Sequence, residues 1–136
     1  MRTYSKMGLW NNKTVFGIPT YGRGYRLLNW RVNKPYAPAT KPVSDYAKFA
    51  DLCKLLNDRE RYTYVWNEQA ASPYIYGTDK LWDSFEDIRS VKAKAVYAKN
   101  LNVAGVMVFD IGSDDVYGSC GKGTYPLIHA IRDELQ

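Results

Sequence analysis

Histidine and cysteine are scarce in this chain, with one His (His129) and two Cys (Cys53 and Cys120) in 136 residues. A zinc centre needs such ligands in close groups, so no metal site and no cofactor is expected. No stretch approaches the ~20 consecutive apolar residues of a membrane span, so no membrane partner is expected either. Met1-Arg2-Thr3-Tyr4 runs directly into polar sequence without the apolar core of a secretory leader. Low-complexity segments and internal repeats are missing as well. The net charge of +5 is scattered, without a basic run or a basic and aromatic stripe, so nucleic acid is not an expected partner. Lys92, Lys94 and Lys99 share a helical stretch and read as its solvated face. Two cysteines alone are compatible with one disulfide or with a pair of buried thiols.

Aromatic residues, in contrast, are plentiful: four Trp, twelve Tyr and four Phe, 15% of the chain. Tyr and Trp join a flat apolar face to a polar edge, which suits both carbohydrate contact and a β-rich core. Hydrophobic residues at 46% and charged residues at 24% are ordinary for a folded domain. The length allows one domain with a real core rather than two.

Lys13 to Pro19, KTVFGIP, reads as a buried strand stopped by proline, followed by the glycine-bearing Tyr21-Gly22-Arg23-Gly24-Tyr25. Residues 29 to 42 carry Pro35, Pro38 and Pro42 and read as loop. Ser44 then caps a helix expected to run to Asn57, with Tyr46, Phe49, Ala50, Cys53 and Leu55 or Leu56 as its apolar stripe. Residues 61 to 66 and 73 to 76 form a hairpin candidate, with a further short strand at 79 to 82. Ser84 and Asp87 resemble a capping box opening a helix to Asn100, on which Ile88, Val91, Ala95 and Ala98 recur at helical spacing. Residues 103 to 111, VAGVMVFDI, read as a parallel strand buried on both faces, and Pro126 starts a last helix through Leu135. Asp114 and Asp115 are expected to cap the loop between them; a calcium site would need more oxygen ligands than the sequence supplies.

GIPTYGRGY (residues 17 to 25) resembles the seventh barrel strand of family 18 glycoside hydrolases. GVMVFDIGSDDVYGSCGKGTYPLI (residues 105 to 128) looks like the eighth strand of that family and its exit loop. Trp66-Asn67-Glu68 and Pro73-Tyr74 match the insertion domain that chitinases of the family carry between those strands. The resemblance runs from about residue 4 to 135, and the order and separation of the motifs make it specific. It implies a mixed α/β and α+β fold in which partial (β/α)8-barrel elements flank an α+β insertion domain. The boundaries expected are 1–26 for the seventh-strand region, 27–83 for the insertion, and 84–136 for a helix, the eighth strand and the last helix, folded as one compact unit. A complete catalytic barrel takes ~250 residues. If the parent is secreted, as the resemblance implies, the start of this chain is expected not to be the parent's start. A Met added to an excised piece would explain it, and proteolysis and a truncated gene are the alternatives.

Tyr21 and Arg23 match the Tyr and Arg that line sugar subsites in the family. Asp51 aligns with an insertion-domain Glu that binds sugar hydroxyls, and Met107 with a methionine on the cleft floor. Phe109 stands where the family carries Trp under the sugar at the reaction centre. Losing ~40–50 Å² of stacking surface there corresponds to about 1 kcal/mol. Cys53 and Cys120 fall where related chitinases form a disulfide, which implies an oxidising, extracellular location. Trp30, Trp66 and Trp82 are read as packing residues, and His129 as incidental.

The family's acid motif D-x-x-D-x-D-x-E is missing from these residues, and Asp110 to Asp115 contains no glutamate to replace it. The family's substrate-assisted mechanism needs that acid for the leaving oxygen, a contribution of about 10²–10⁴-fold. No catalytic residue is therefore assigned. The first expectation is a non-catalytic fragment that binds chitin or chitooligosaccharide. The alternatives are a piece of an active chitinase whose acid lies elsewhere, and a protein-interaction module without sugar binding. Unpaired barrel strands expose edges, so self-association, strand exchange or a rearranged fold is also expected.

Overall fold

A computed structural model describes residues 2–43 and 47–136. In chain order the elements are α1 (Arg2–Lys6), β1 (Val15–Pro19), β2 (Tyr21–Leu27), β3 (Ala39–Pro42), β4 (Ala47–Lys48), α2 (Phe49–Leu55) and β5 (Tyr62–Asn67). There follow β6 (Ser72–Gly77), β7 (Leu81–Ser84), α3 (Ile88–Asn100), β8 (Gly105–Phe109) and α4 (Pro126–Leu135).

The first and last strands pair with each other across the chain. β1 and β8 lie parallel, in register from Val15 opposite Gly105 to Pro19 opposite Phe109. The expected rearrangement around the insertion does not occur in this pair. One face of the pair is covered: Ile18 is 1% exposed, and Phe16, Val106 and Val108 pack on the core that Val91 and Ala95 of α3 share with Leu127 and Ile131 of α4. Each fully buried aliphatic side chain of this kind stabilises the fold by about 1.5–3 kcal/mol.

The other strands build an antiparallel sheet in the order β3-β2-β7-β6-β5, with β4 added to the free part of the β2 edge. Its buried face presses Ile75 and Tyr62, together with Leu52 of α2 and Phe85 just after β7, into the same cluster that holds Ile18 and Leu127. The two sheets thus share one core.

Several local expectations are corrected. The segment read as loop contains β3, which pairs with Tyr25, Arg26 and Leu27. The helix expected from Ser44 begins only at Phe49, because Ala47 and Lys48 run extended beside Gly22 and Tyr21. Ser44 and Tyr46 themselves lie outside the described residues. Ser84 does not cap α3; it ends β7, opposite Arg23 and Tyr74. The cap is Asp87, whose carboxylate accepts from Ser90 N–H at 2.8 Å while Ser90 Oγ accepts from Asp87 N–H at 2.8 Å. This is a capping box one turn later than read. Nor are the lysines of α3 a merely solvated face. Lys92 pairs with Glu134 at 3.2 Å, Lys99 donates to the Glu134 carbonyl, and Lys94 pairs with the buried Glu86.

The loop after β8 is held by two buried carboxylates. Asp115 accepts from Ser119 N–H, Ser119 Oγ and Cys120 N–H, while Asp114 accepts from Leu127 and Ile128 N–H at the start of α4. Burial alone would raise the Asp115 carboxyl; the donors from Cys120, Ser119 and Gly118 outweigh it and hold that group below the usual carboxylate range. Cys120 is thereby placed against α2, and Cys53 and Cys120 form the disulfide, with Cα atoms 5.8 Å apart. The bond closes a loop of 67 residues and joins the inserted sheet to the exit of β8. In the chain-entropy picture such a closure contributes about 4 kcal/mol. We expect Cys53→Ser to lower unfolding stability by up to that amount, and intact mass to rise by two hydrogens only after reduction. Two free thiols under non-reducing conditions would contradict the pairing.

Candidate functional site

β8 alternates in exposure, which corrects the expectation of a strand buried on both faces. Val106 and Val108 face the helices, whereas Met107 is 49% and Phe109 56% exposed. Successive strand residues point to opposite faces, so these two share the open side of the parallel pair. Val15 also stands open, at 55%.

From Pro19 the chain turns through Thr20 into β2, and Tyr21 meets Phe109 edge to face, with ring centroids 6.4 Å apart and planes at 84°. The Arg23 guanidinium lies 5.6 Å from the Tyr21 ring. Phe109, Tyr21 and Arg23 therefore form one row, with Met107 on the same strand face as Phe109. Asp51 sits in the first turn of α2, is exposed, and has its ionic contact with Lys54 at 3.8 Å. The start of α2 is tied to the strand exit by Phe49 N–H donating to the Thr20 carbonyl.

The row continues along the same face of the antiparallel sheet. Tyr25 follows Tyr21 and Arg23 at strand spacing and is directly opposite Trp82, with centroids 6.3 Å apart; Trp82 stacks on Tyr74 at 5.3 Å. These rings, with Tyr36, Lys34, Asn67 and Ser84, line a cavity of about 510 Å³. Trp82 donates its indole N–H to the Asn33 carbonyl at 3.0 Å, which fixes the ring. Trp82 packs between Tyr25 and Tyr74, as read from the sequence, and it lines this cavity as well; Tyr25 carried no sequence assignment. The period-2 alternation of Tyr21, Arg23 and Tyr25 around two glycines was the signal available. Trp66 does pack: the Arg89 guanidinium lies 3.7 Å from its ring centroid.

Gly22 and Gly24 occupy the opposite face of β2, and the reason is Asp83. Its carboxylate lies beneath them; a Cβ on Gly24 would come within 2.6 Å of Asp83 Oδ2, and one on Gly22 would collide with Oδ1. Asp83 is 1% exposed, Oδ1 has no hydrogen-bond partner, and burial pushes the carboxyl up to about 7 despite a hydrogen bond from Arg23 N–H. Among the described residues no group of three or more His, Cys, Asp or Glu could hold a metal ion, and no helix is long and apolar enough to cross a membrane. The arrangement offers flat apolar surface beside a five-donor cation, which is binding chemistry.

The model of glycosyl hydrolases family 18 matches residues 1–114. The chain belongs to glycosyl hydrolases family 18. Chitotriosidase-1 of Mus musculus is 38% identical over 133 residues, covering 91% of this chain and 27% of that protein. The group IV chitinase of Ostrinia furnacalis superimposes with a TM-score of 0.90 at 31% identity, over 98% of this chain and 38% of the chitinase. That enzyme has also been solved in complex with allosamidin. Human YKL-39, described as a pseudo-chitinase with retained chitooligosaccharide binding properties, superimposes with a TM-score of 0.88 at 29% identity, over 98% of this chain and 38% of its own. The chain thus spans well under half the length of these relatives. Within the family-18 framework, β1, α3, β8 and α4 are partial (β/α)8-barrel elements, and they flank an α+β insertion of antiparallel strands and α2.

The buried Asp83 gives a pH dependence of definite sign. A carboxyl whose folded value lies above its unfolded value of about 4 holds its proton more tightly in the native state. Its stabilising contribution is complete below pH 4 and is lost as pH rises through 7, amounting to about 4 kcal/mol. Asp83→Asn should remove this slope, so that the variant exceeds the parent in denaturant stability at pH 8 by more than at pH 4. Parallel stability curves across that range would contradict it.

Proposed function

We propose that these residues form one wall of a chitooligosaccharide-binding cleft and do not themselves carry out hydrolysis. The observation that carries this reading is the row Phe109–Tyr21–Arg23 on the open side of the β1/β8 pair. An N-acetylglucosamine ring has apolar C–H faces and equatorial polar groups; it stacks on Phe109 and Tyr21 while Arg23 donates to its oxygens in a fork. Met107 extends the apolar floor, and Asp51 contributes an acceptor from α2. Chitooligosaccharide binding by YKL-39 supports the assignment, since that pseudo-chitinase shares this part of the fold.

No acidic motif of the D-x-x-D-x-D-x-E type occurs in the 136 residues, so the wall has no group to protonate a leaving oxygen. A second reading, in which a longer protein supplies that acid and hydrolyses β-1,4-linked N-acetylglucosamine, is favoured by the TM-score of 0.90 to an insect chitinase. We further propose the division 1–26, 27–83 and 84–136 within one compact unit. The disulfide supports an extracellular location.

Calorimetric titration with chitotetraose tests the binding. Saturable association should weaken at least tenfold in Arg23→Ala and strengthen several-fold in Phe109→Trp, as restored stacking area of about 1 kcal/mol requires. Absence of binding at millimolar sugar would sink the proposal, and turnover of a fluorogenic chitobioside by this chain would sink its non-catalytic half. The outer edges of β1 and β8 are unpaired among the described residues, and we propose that they self-associate. Light scattering should then show mass rising with concentration, and a strict monomer would count against it.

A further inference from the structure

We propose that Asn12 is a site of N-linked glycosylation, with Trp10 as the platform for the first sugar. Asn12-Lys13-Thr14 is the only Asn-x-Ser/Thr triplet in the sequence, and its middle residue is not proline. The structure puts it where such a modification can be carried. Asn12 is exposed, in a single 3₁₀ turn (Asn11–Lys13) just before β1.

The turn is held by hydrogen bonds that do not use the Asn12 side chain. Asn11 donates from its side chain to the Leu101 carbonyl at 2.9 Å, and Ala104 N–H donates to the Asn11 and Thr14 carbonyls. Thr14 Oγ1 donates to the Trp10 carbonyl at 2.9 Å, which closes the turn and brings the aromatic residue two positions before the asparagine alongside it. Trp10 is 67% exposed, with Lys13 Nζ 5.4 Å from its ring centroid. Trp10, Asn12 and Leu101 belong to the wall of one shallow surface depression. A sugar linked to Asn12 can lay its C–H face on the indole there, the stacking geometry inferred for the row at Phe109.

The reaction balances without a redox partner. The Asn12 amide nitrogen attacks C1 of the reducing-end N-acetylglucosamine in a lipid diphosphate-linked oligosaccharide. The C1–O bond breaks, the lipid diphosphate leaves with the electron pair, and the amide nitrogen gives up one proton. Asn12 lies before the start of β1 and Phe109 at the end of β8, so the glycan and the sugar row occupy opposite ends of a pair roughly 16 Å long. The glycan therefore leaves the cleft open.

The inference rests on the extracellular reading, and the test keeps the two apart. The chain is expressed behind a secretory leader in a eukaryotic cell that adds N-glycans. Intact mass and peptide maps are taken with and without peptide N-glycosidase, and the thiols are counted separately. One glycan is expected on Asn12, lost completely in Asn12→Gln and Thr14→Ala, retained in Thr14→Ser, and reduced in occupancy in Trp10→Ala. Secreted protein with the Cys53–Cys120 bond formed and Asn12 unmodified overturns the inference while leaving the extracellular reading intact. Free thiols in glycosylated protein overturn the Cys53–Cys120 pairing, and with it the disulfide's support for an extracellular location, while the glycan on Asn12 supports the site. Unchanged occupancy in Trp10→Ala overturns the role of the indole. Chitotetraose affinity should be the same for glycosylated protein and Asn12→Gln.

Discussion

Thr20 is the joint on which the two halves of the structure depend. It is fully buried between the end of β1 and the start of β2. Its N–H donates to the Phe109 carbonyl, its hydroxyl donates to the Asp110 carbonyl, and its own carbonyl accepts from Phe49 N–H. One residue thereby fastens the exit of β8, the entry of the antiparallel sheet and the first turn of α2. A buried hydroxyl and two backbone groups would each cost free energy if left unpaired, so the three bonds specify one arrangement of the strands. The ring of Tyr21 then has little choice but to meet Phe109.

Beyond that joint, alternation does the sorting. On β8, odd positions from Met107 face outwards and even positions face α3 and α4. On β2, Tyr21, Arg23 and Tyr25 share one face because Gly22 and Gly24 occupy the other, where Asp83 leaves no room for side chains. The two open faces meet at Thr20, so a floor of Met107 and Phe109 runs into a wall of Tyr21 and Arg23. The disulfide and the Asp115 bonds hold that corner from behind. No side chain of the row is itself needed to hold the joint, to which Phe109 gives only its backbone carbonyl.

The parts of this arrangement that were legible in the sequence are those written in local pattern or in motif. The hairpin β5–β6, the amphipathic α3 and the Pro-started α4 follow from periodicity and cap chemistry over short windows. The flanking motifs placed Tyr21, Arg23 and Phe109 correctly on neighbouring strand ends. What escaped was set by long-range pairing. β3 and β4 are short and sit in Pro- and Lys-rich sequence, and only the exposed edge of β2 makes them strands. β8 reads as doubly buried because Val, Met and Phe are equally apolar; which face is covered depends on where α3 and α4 lie. Asp83 is invisible for the same reason, since an acidic residue before Ser84 looks like turn chemistry until β2 is laid across it.

An acid without a full set of partners under β2 is costly, and its position sets that cost directly behind the strand that carries Tyr21 and Arg23. The Arg23 N–H that approaches Asp83 belongs to the same residue whose guanidinium sits over Tyr21. Ionisation of Asp83 places a negative charge directly behind the strand that carries the cation. That charge strengthens the hydrogen bond to Arg23 N–H while raising the free energy of the whole sheet. Ionisation therefore tightens the one backbone bond between Asp83 and β2 while making the buried face on which that bond lies less stable. The glycines permit the carboxylate to lie there, and the aromatic row on the other face is the surface through which any slackening of β2 would be felt.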